Sequence, residues 1–227
     1  IASIVALLNF ISVLLFLPES LNKRTEKLMI KEGFFNFKHM YHGLRGELGS
    51  FFILVFLWSF ALSNIEVAVP LFGSEILFIS ASTIGLFFSM QGILAALMQS
   101  IFIYKITKFF GEHKTSVIGL TLMASGLFLI PFAKIPLFLL IFLIIMTLGS
   151  SMTRPTLATL VSKQTKEGQG TTMGIFSSFE SSGRVIGPLL SGWAFSSFGF
   201  HAPFSLTAAV ILITLIFVAQ IRGFFRD

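Results

Sequence analysis

The sequence contains no cysteine, which excludes a disulfide framework, a thiolate-ligated zinc site and thiol catalysis. Charged residues are also scarce: they make up 11% of the 227 residues, whereas a soluble domain carries roughly 25%. Hydrophobic residues account for 55% of the chain, and they fall in long runs. These proportions predict an all-α membrane protein with several spanning helices, so the lipid bilayer is its first expected partner.

Motifs for nucleotide chemistry and for hydrolysis are missing as well. Neither GxxxxGK[ST] nor GxGxxG is present, and no Ser/His/Asp or HExxH arrangement occurs. His39 and His42 are three residues apart, but without a neighbouring carboxylate or cysteine they predict loop histidines and not a metal site. We therefore expect no enzyme activity, no cofactor and no bound metal.

The apolar runs divide the chain into three parts. Residues 1–17 form a helix that starts within an apolar run, so we expect the chain to be a fragment beginning inside a helix. Residues 18–48 form a basic connection, which begins at Pro18 because proline cannot continue a helix cheaply. Residues 49–227 contain six runs long enough to span a bilayer. They are Gly49–Leu71, Thr83–Tyr104, Ser116–Ala133, Pro136–Leu157, Thr171–Ser196 and Ala202–Ile221.

The net charge of +6 reflects how lysine and arginine are distributed between loops, and it does not indicate a nucleic-acid partner. Every second connection is basic, and the connections between them hold almost no charge. The central connection is basic through Lys23, Arg24, Lys27, Lys31, Lys38 and Arg45, and the later basic connections and the tail hold Lys105, Lys108, Lys114, Arg154, Lys163, Lys166, Arg222 and Arg226. By the positive-inside rule, the central loop and the C-terminus are expected in the cytoplasm. The expected location is the cell membrane, which is the inner membrane if the protein is bacterial.

The stretch Gly170–Ala194 is long enough to span a bilayer, yet Glu180 and Arg184 lie within it. A charge at bilayer depth costs about 3 kcal/mol on insertion scales, so such residues normally face a protein interior or a water-filled cavity. At about 100° per residue, the polar and small residues share one face. They are Ser177, Glu180, Gly183, Arg184, Gly187 and Ser191. Two interpretations remain open: a substrate or proton-coupling site, and a purely structural ion pair between residues one turn apart.

Glycine and proline mark the same stretch as a packing or hinge region. The Gly183-x-x-x-Gly187 spacing lets another helix backbone approach closely, and Gly174 lies nearer the start of the same stretch. Pro188 removes the backbone donor to the carbonyl of Arg184.

A second intramembrane charge, Glu66, shows the same relation to a proline. Pro70 removes the backbone donor to the carbonyl of Glu66, and Ser59 and Ser63 are expected on the same face. One interpretation is a proton-coupling carboxyl beside a deformable helix segment. The other is that Pro70 ends the helix and Glu66 lies in a wet outer vestibule.

Gln91 and Gln99 are uncharged polar groups in the following span. They are candidates for substrate contacts or for hydrogen bonds between helices. Gly85, Gly92 and Gln99 repeat every seven residues on one face, which favours helix packing.

In the order and spacing of its glycines, prolines and charged residues, the chain resembles the C-terminal half of a twelve-helix major facilitator transporter. The resemblance is strongest to the drug/proton antiporters of the tetracycline and multidrug efflux type. The residues that carry the resemblance are Leu17-Pro18-Glu19-Ser20, then Gly85, Gly92 and Gln99 leading to Phe110-Gly111, then Arg154-Pro155-Thr156, Gly168-Gln169-Gly170, Gly174, Arg184 and Gly187-Pro188. The chain departs from the family between Lys105 and Phe110, where an Asp-Arg pair often precedes the loop glycine.

The resemblance implies residues 1–17 as the end of helix six, 18–48 as the cytoplasmic central loop, and 49–227 as helices seven to twelve. It implies proton-driven efflux of a small amphiphilic compound or drug, with a missing N-terminal six-helix half as partner. Glu66, Gln91, Glu180 and Arg184 are the expected proton-coupling or substrate residues. Gly174, Gly183, Gly187, Pro188 and Pro70 are the expected packing or hinge residues. Two alternatives stay open: a major facilitator importer or facilitator of a metabolite, and a non-transporting membrane receptor or scaffold.

Overall fold

The computed structural model describes residues 2–16, 48–165 and 168–220, and these residues form helices and short connections. The chain divides into two compact units. In the first, the described residues form α1 (Ala2–Phe16). In the second they form six further helices. These are α2 (Gly49–Glu75), α3 (Ala81–Phe110), α4 (Glu112–Phe132), α5 (Pro136–Gln164), α6 (Gln169–Phe198) and α7 (Ala202–Gln220).

Each of the six predicted spans appears as a helix. In the described part of the chain, α2 to α5 are long and apolar enough to cross a membrane. The apolar stretch of α7, Ala202–Ile216, is shorter. Helix α6 has 30 residues, but its serines, its glycines and its two charges lower its hydropathy. The central loop with His39 and His42, and the basic C-terminal tail, lie outside the described residues.

Proline ends neither α2 nor α5. Helix α2 continues through Pro70 to Glu75, so the interpretation that Pro70 terminates this helix is wrong. Helix α5 continues through Pro155 to Gln164, beyond the predicted end at Leu157. Both helices are packed against neighbours, and this packing offsets the loss of one backbone hydrogen bond.

Helices α2 and α6 pack closely against each other, and glycine makes the contact possible. A Cβ atom on Gly183 would lie 2.5 Å from the carbonyl oxygen of Phe56, and one on Gly187 would lie 2.7 Å from that of Phe60. Contacts advance in the same direction along both helices, so α2 and α6 run parallel. The close backbone approach predicted from the Gly183-x-x-x-Gly187 spacing is therefore confirmed, and α2 is the partner. Gly174, in contrast, faces open space among the described residues, so its expected packing contact does not form there.

Helices α4 and α5 form a second close pair that the sequence analysis did not identify. A Cβ atom on Gly149 would lie 2.3 Å from the backbone nitrogen of Met123, and one on Gly126 would lie 2.6 Å from that of Met146. Since residue numbers rise on one helix as they fall on the other, this pair is antiparallel. The two pairs together form the packed part of the bundle.

The core lies around α2, in which Phe51, Phe52 and Phe72 are almost completely buried. Phe52 stacks on Phe179 of α6 with ring centroids 5.6 Å apart. Phe72 packs edge-on against Phe204 of α7 at 5.5 Å. These aromatic contacts fix α2 at its two ends, with α6 at one and α7 at the other.

Helix α3 is far less packed than the other spanning helices in the described residues. Gly85 and Gly92 have no described atom within 4 Å of a Cβ built on them, so the helix packing predicted for their face does not occur among the described residues. The helix also contains a π-helical turn over Met98–Phe102, which includes Gln99. Such turns insert one extra residue and are frequent at functional sites.

Candidate functional site

A buried carboxylate held by two guanidinium groups lies between α5 and α6. The Glu180 side chain is only 7% exposed. Arg154 Nε donates to Glu180 Oε1 at 2.8 Å, and an Arg154 terminal nitrogen donates to Oε2 at 3.0 Å. Arg184 Nη2 lies 3.4 Å from Oε1, one helical turn further along α6. Arg154 therefore binds both carboxylate oxygens, whereas Arg184 makes one long contact at the edge.

The backbone around Glu180 is fixed by hydroxyl groups of α2. Ser59 Oγ donates to the carbonyl oxygen of Glu180 at 2.6 Å. Ser63 Oγ lies 3.3 Å from the carbonyl oxygen of Gly183, and it also donates within its own helix. Further along, Ser191 Oγ donates to the backbone carbonyl of Asn64 at 3.0 Å. Small hydroxyl side chains thus join two helices whose glycines let them approach closely.

The three helices independently place the cluster at one depth. At about 1.5 Å per residue, Ser59 lies about 15 Å from the start of α2, and Glu180 about 16 Å from the start of α6. Arg154 lies about 15 Å from the end of α5. The end of α5 and the start of α6 are joined by a short connection, and α2 runs parallel to α6. All three distances are therefore measured from the same side of the bundle. The charges are therefore well inside the bundle and far from either end of its helices.

The predicted contact between Glu180 and Arg184 exists, but the main partner of Glu180 is Arg154. The sequence analysis grouped Arg154 with a basic loop, because the span was expected to end at Leu157. The available signal was the Arg154-Pro155-Thr156 motif, which the resemblance had already singled out. Pairing across 26 positions and two helices is not visible on the wheel of one helix.

Glu66 lies apart from this cluster. It is exposed, and it forms no ion pair with any described residue, whereas Ser59 and Ser63 on the neighbouring turns are buried against α6. By the same rise per residue, Glu66 lies about 14 Å from the far end of α2. The structure therefore separates Glu66 from Glu180 and Arg184. On the face where Glu66 and both serines were expected together, the serines contact α6 and Glu66 is exposed.

Gln91 links α3 to α5 through Thr147. The Thr147 hydroxyl lies 3.1 Å from Gln91 Oε1 and 2.8 Å from the carbonyl oxygen of Leu143. A hydroxyl has one proton, so it either donates to Gln91 or donates within its helix and accepts from the Gln91 amide. Both arrangements join the two helices, which is the structural role considered for Gln91.

Replacing Thr147 by valine is expected to destabilise the protein by about 1 kcal/mol, because it removes this hydrogen bond and leaves a polar group of Gln91 without a partner. Thr121→Val is the matched control, since the Thr121 hydroxyl donates only within its own helix, to Val117. Thermal unfolding of the purified protein measures both. Equal stability losses in the two variants would show that the contact between α3 and α5 contributes nothing.

Lys163 and Glu112 form an ion pair between the end of α5 and the start of α4. It lies in the region where the family often carries an Asp-Arg pair and this chain does not. The pair joins the same two helices as the glycine contacts of Gly149 and Gly126. Because Lys163 is exposed, we expect the pair to contribute less than about 1 kcal/mol.

A family model described as Major Facilitator Superfamily matches residues 51–223, about three quarters of the chain. The chain belongs to the major facilitator superfamily. Members of this superfamily are membrane transporters, so the chain is part of a multi-pass membrane protein and not of an enzyme.

The curated relatives are bacterial resistance proteins. Multidrug resistance protein 1 of Bacillus subtilis (strain 168) is 28% identical over 144 residues, which cover 63% of this chain and 37% of that protein. Quinolone resistance protein NorA of Staphylococcus aureus (strain COL) is 30% identical over 166 residues, which cover 73% of this chain and 42% of that protein. The chain thus spans about two fifths of the length of these relatives.

Two solved structures share the fold. The human organic anion transporter MFSD10 (TETRAN) matches with a TM-score of 0.71 at 21% identity, covering 79% of this chain and 45% of that one. A mutant of the peptide transporter POT in complex with alafosfalin matches with a TM-score of 0.64 at 19% identity, covering 78% and 38%. At these identities the likeness concerns the fold alone.

Proposed function

We propose that this chain is the C-terminal six-helix half of a proton-coupled transporter that exports a small amphiphilic compound or drug. The observation that carries the proposal is the cluster of Arg154, Glu180 and Arg184 inside the bundle. Charges at this depth are expensive and are normally retained for a substrate or ion pathway. Similarity to proteins named for multidrug and quinolone resistance supports efflux as the direction of transport.

In this proposal the second wall of the pathway comes from an N-terminal six-helix half. Major facilitator transporters place substrate near the bilayer midplane between two such halves, which rock against each other. The sparse packing of α3 within this chain agrees with a helix that has its partners elsewhere. The central loop and the C-terminus lie in the cytoplasm, as the distribution of basic residues indicates.

Glu66 is the proposed proton-coupling group. Unlike Glu180, it is exposed and has no cationic partner among the described residues, so it is able to exchange protons with water. Its position beyond the middle of α2 is suited to exchange with the side opposite the cytoplasm.

Glu66→Gln in the transporter with both halves is expected to reduce pH-gradient-driven efflux at least tenfold while leaving energy-independent substrate exchange intact. The variant preserves size and removes titration. Efflux and counterflow of a cationic dye such as ethidium in proteoliposomes measure the two activities. Glu75→Gln is the matched control, because Glu75 is an exposed carboxylate at the end of the same helix.

Three outcomes would count against the proposal. Wild-type flux driven by the pH gradient in Glu66→Gln would remove Glu66 from proton coupling. Transport by the wild type that ignores the gradient or runs inward would favour an importer or facilitator. Absence of counterflow for every compound tested would favour a receptor or scaffold.

A further inference from the structure

The charge cluster is not neutral. Two guanidinium groups surround one carboxylate, so the three side chains together carry one surplus positive charge. Arg154 already occupies both oxygens of Glu180 at hydrogen-bonding distance. The surplus charge therefore belongs to Arg184, whose single contact with Oε1 is 3.4 Å long.

Arg184 has most of its hydrogen-bonding capacity unused. A guanidinium group has five N–H donors, and Arg184 directs only one towards a described residue. Its side chain is 60% exposed, whereas the carboxylate beside it is 7% exposed. The Arg184 guanidinium is thus held by Glu180 at one edge, and its other edge is accessible to a ligand.

Hydroxyl groups extend the polar surface beside Arg184. Ser181 and Ser177 precede it by about one and two turns, within about 60° of it on the helical wheel. Both serines are exposed, and neither hydroxyl forms a hydrogen bond with the described residues. A ligand bound to Arg184 would find two further donors along the same stripe.

An opposite charge is required at this position. Arg184 lies about 22 Å from the start of α6, near the middle of the helix, where an uncompensated charge is costly. The other described carboxylates do not supply the charge: Glu112 pairs with Lys163, and Glu66 and Glu75 form no ion pair with a described residue. The counter-charge must come from outside the described residues.

We infer that Arg184 is the binding group for the carboxylate of an amphiphilic, organic anionic substrate, with Ser181 and Ser177 as neighbouring donors. A planar guanidinium fork matches a carboxylate in a two-point contact. The inference rests on the proposed transport function and names the substrate class for this part of the pathway. In it, Arg184 determines specificity, while Arg154 holds Glu180 in place.

The test compares 1-pyrenebutyrate with its uncharged methyl ester. The complete transporter is placed in nanodiscs of neutral phosphatidylcholine, and binding is measured by pyrene fluorescence after subtraction of empty nanodiscs. We expect the wild type to bind the acid at least tenfold more tightly than the ester. Arg184→Gln should bring the acid to the level of the ester and leave ester binding unchanged, and Arg184→Lys should restore part of the difference. Lys108→Gln is the control for loss of a positive charge elsewhere, and it should behave as wild type.

Several results would overturn the inference. One is equal binding of acid and ester by the wild type, and another is a retained preference in Arg184→Gln. A third is a fall in the unfolding temperature of Arg184→Gln as large as that caused by losing Arg154, which would make Arg184 structural. Loss of acid binding when phosphatidylglycerol is added would assign the site to lipid phosphate instead. Failure of acid binding in a preparation that still exports ethidium refutes the carboxylate site and leaves the transport function standing.

Discussion

Arg154→Met is expected to destabilise the transporter by about 3 kcal/mol and to lower its abundance in the membrane severalfold. The change strands Glu180, a carboxylate only 7% exposed, with one long contact to Arg184. Breaking a buried ion pair by removing one partner leaves an uncompensated charge, which costs about 3–5 kcal/mol. We take the lower value because Arg154 itself is 47% exposed and Arg184 still neutralises part of the charge.

The double variant Arg154→Met with Glu180→Gln removes both charges and should recover most of the lost stability. Thermal unfolding and quantitative membrane expression measure this recovery. Arg184→Met is the matched control, since it removes a guanidinium group that binds the same carboxylate only weakly, and it should lose much less. If Arg184→Met destabilises the protein as much as Arg154→Met does, the assignment of Arg154 as the main partner is wrong.

Gly183→Leu is expected to destabilise the helix pair by about 3 kcal/mol and to abolish efflux. Even the first carbon of the new side chain would lie 2.5 Å from the carbonyl oxygen of Phe56 and 2.8 Å from the backbone nitrogen of Phe60. Backbone atoms cannot rotate away, so the two helices must separate, and overpacking of this kind costs about 1–3 kcal/mol. Separation also breaks the hydrogen bond that Ser59 donates to the Glu180 carbonyl of α6.

Gly192→Leu provides the matched comparison on the same helix, because a Cβ atom there has no neighbour within 4 Å. It should retain wild-type stability and efflux. Unfolding temperature and proteoliposome efflux measure both variants. A Gly192→Leu variant as damaged as Gly183→Leu would show that leucine is harmful anywhere along α6, and the close contact would lose its explanatory value.

The buried face of α6 was predictable from the sequence. The spacing of Gly183 and Gly187 and the position of Glu180 on the same face need only the rotation per residue. Both glycines and Glu180 are indeed buried against neighbours. Helix number and class followed from the length of the apolar runs in the same way.

Pairing between helices was not predictable by this route. Arg154 reaches Glu180 because α5 and α6 lie side by side at the level where both side chains emerge. Gly149 and Met123 meet for the same kind of reason. A single sequence contains no distance between such positions, so the wheel gave Glu180 its nearest visible partner, Arg184. The sequence left open whether α2 ends at Pro70 for a related reason: the neighbours that support α2 beyond Pro70 are not recorded in its local sequence.

Proline also gives the parallel pair of α2 and α6 an uneven flexural stiffness. Gly187 contacts Ser63, so these two residues lie at the same level of the pair. Pro188 follows that level by one residue and Pro70 by seven, so the two prolines lie about 9 Å apart along the pair. Each proline removes one backbone hydrogen bond of its helix, and helix kinks occur mostly at such positions. On the N-terminal side of the two prolines, close glycine contacts and the Ser59 hydrogen bond hold the two helices together. When the pair bends, we therefore expect the bend in its C-terminal half. The segment that holds Glu180 then moves as a rigid body.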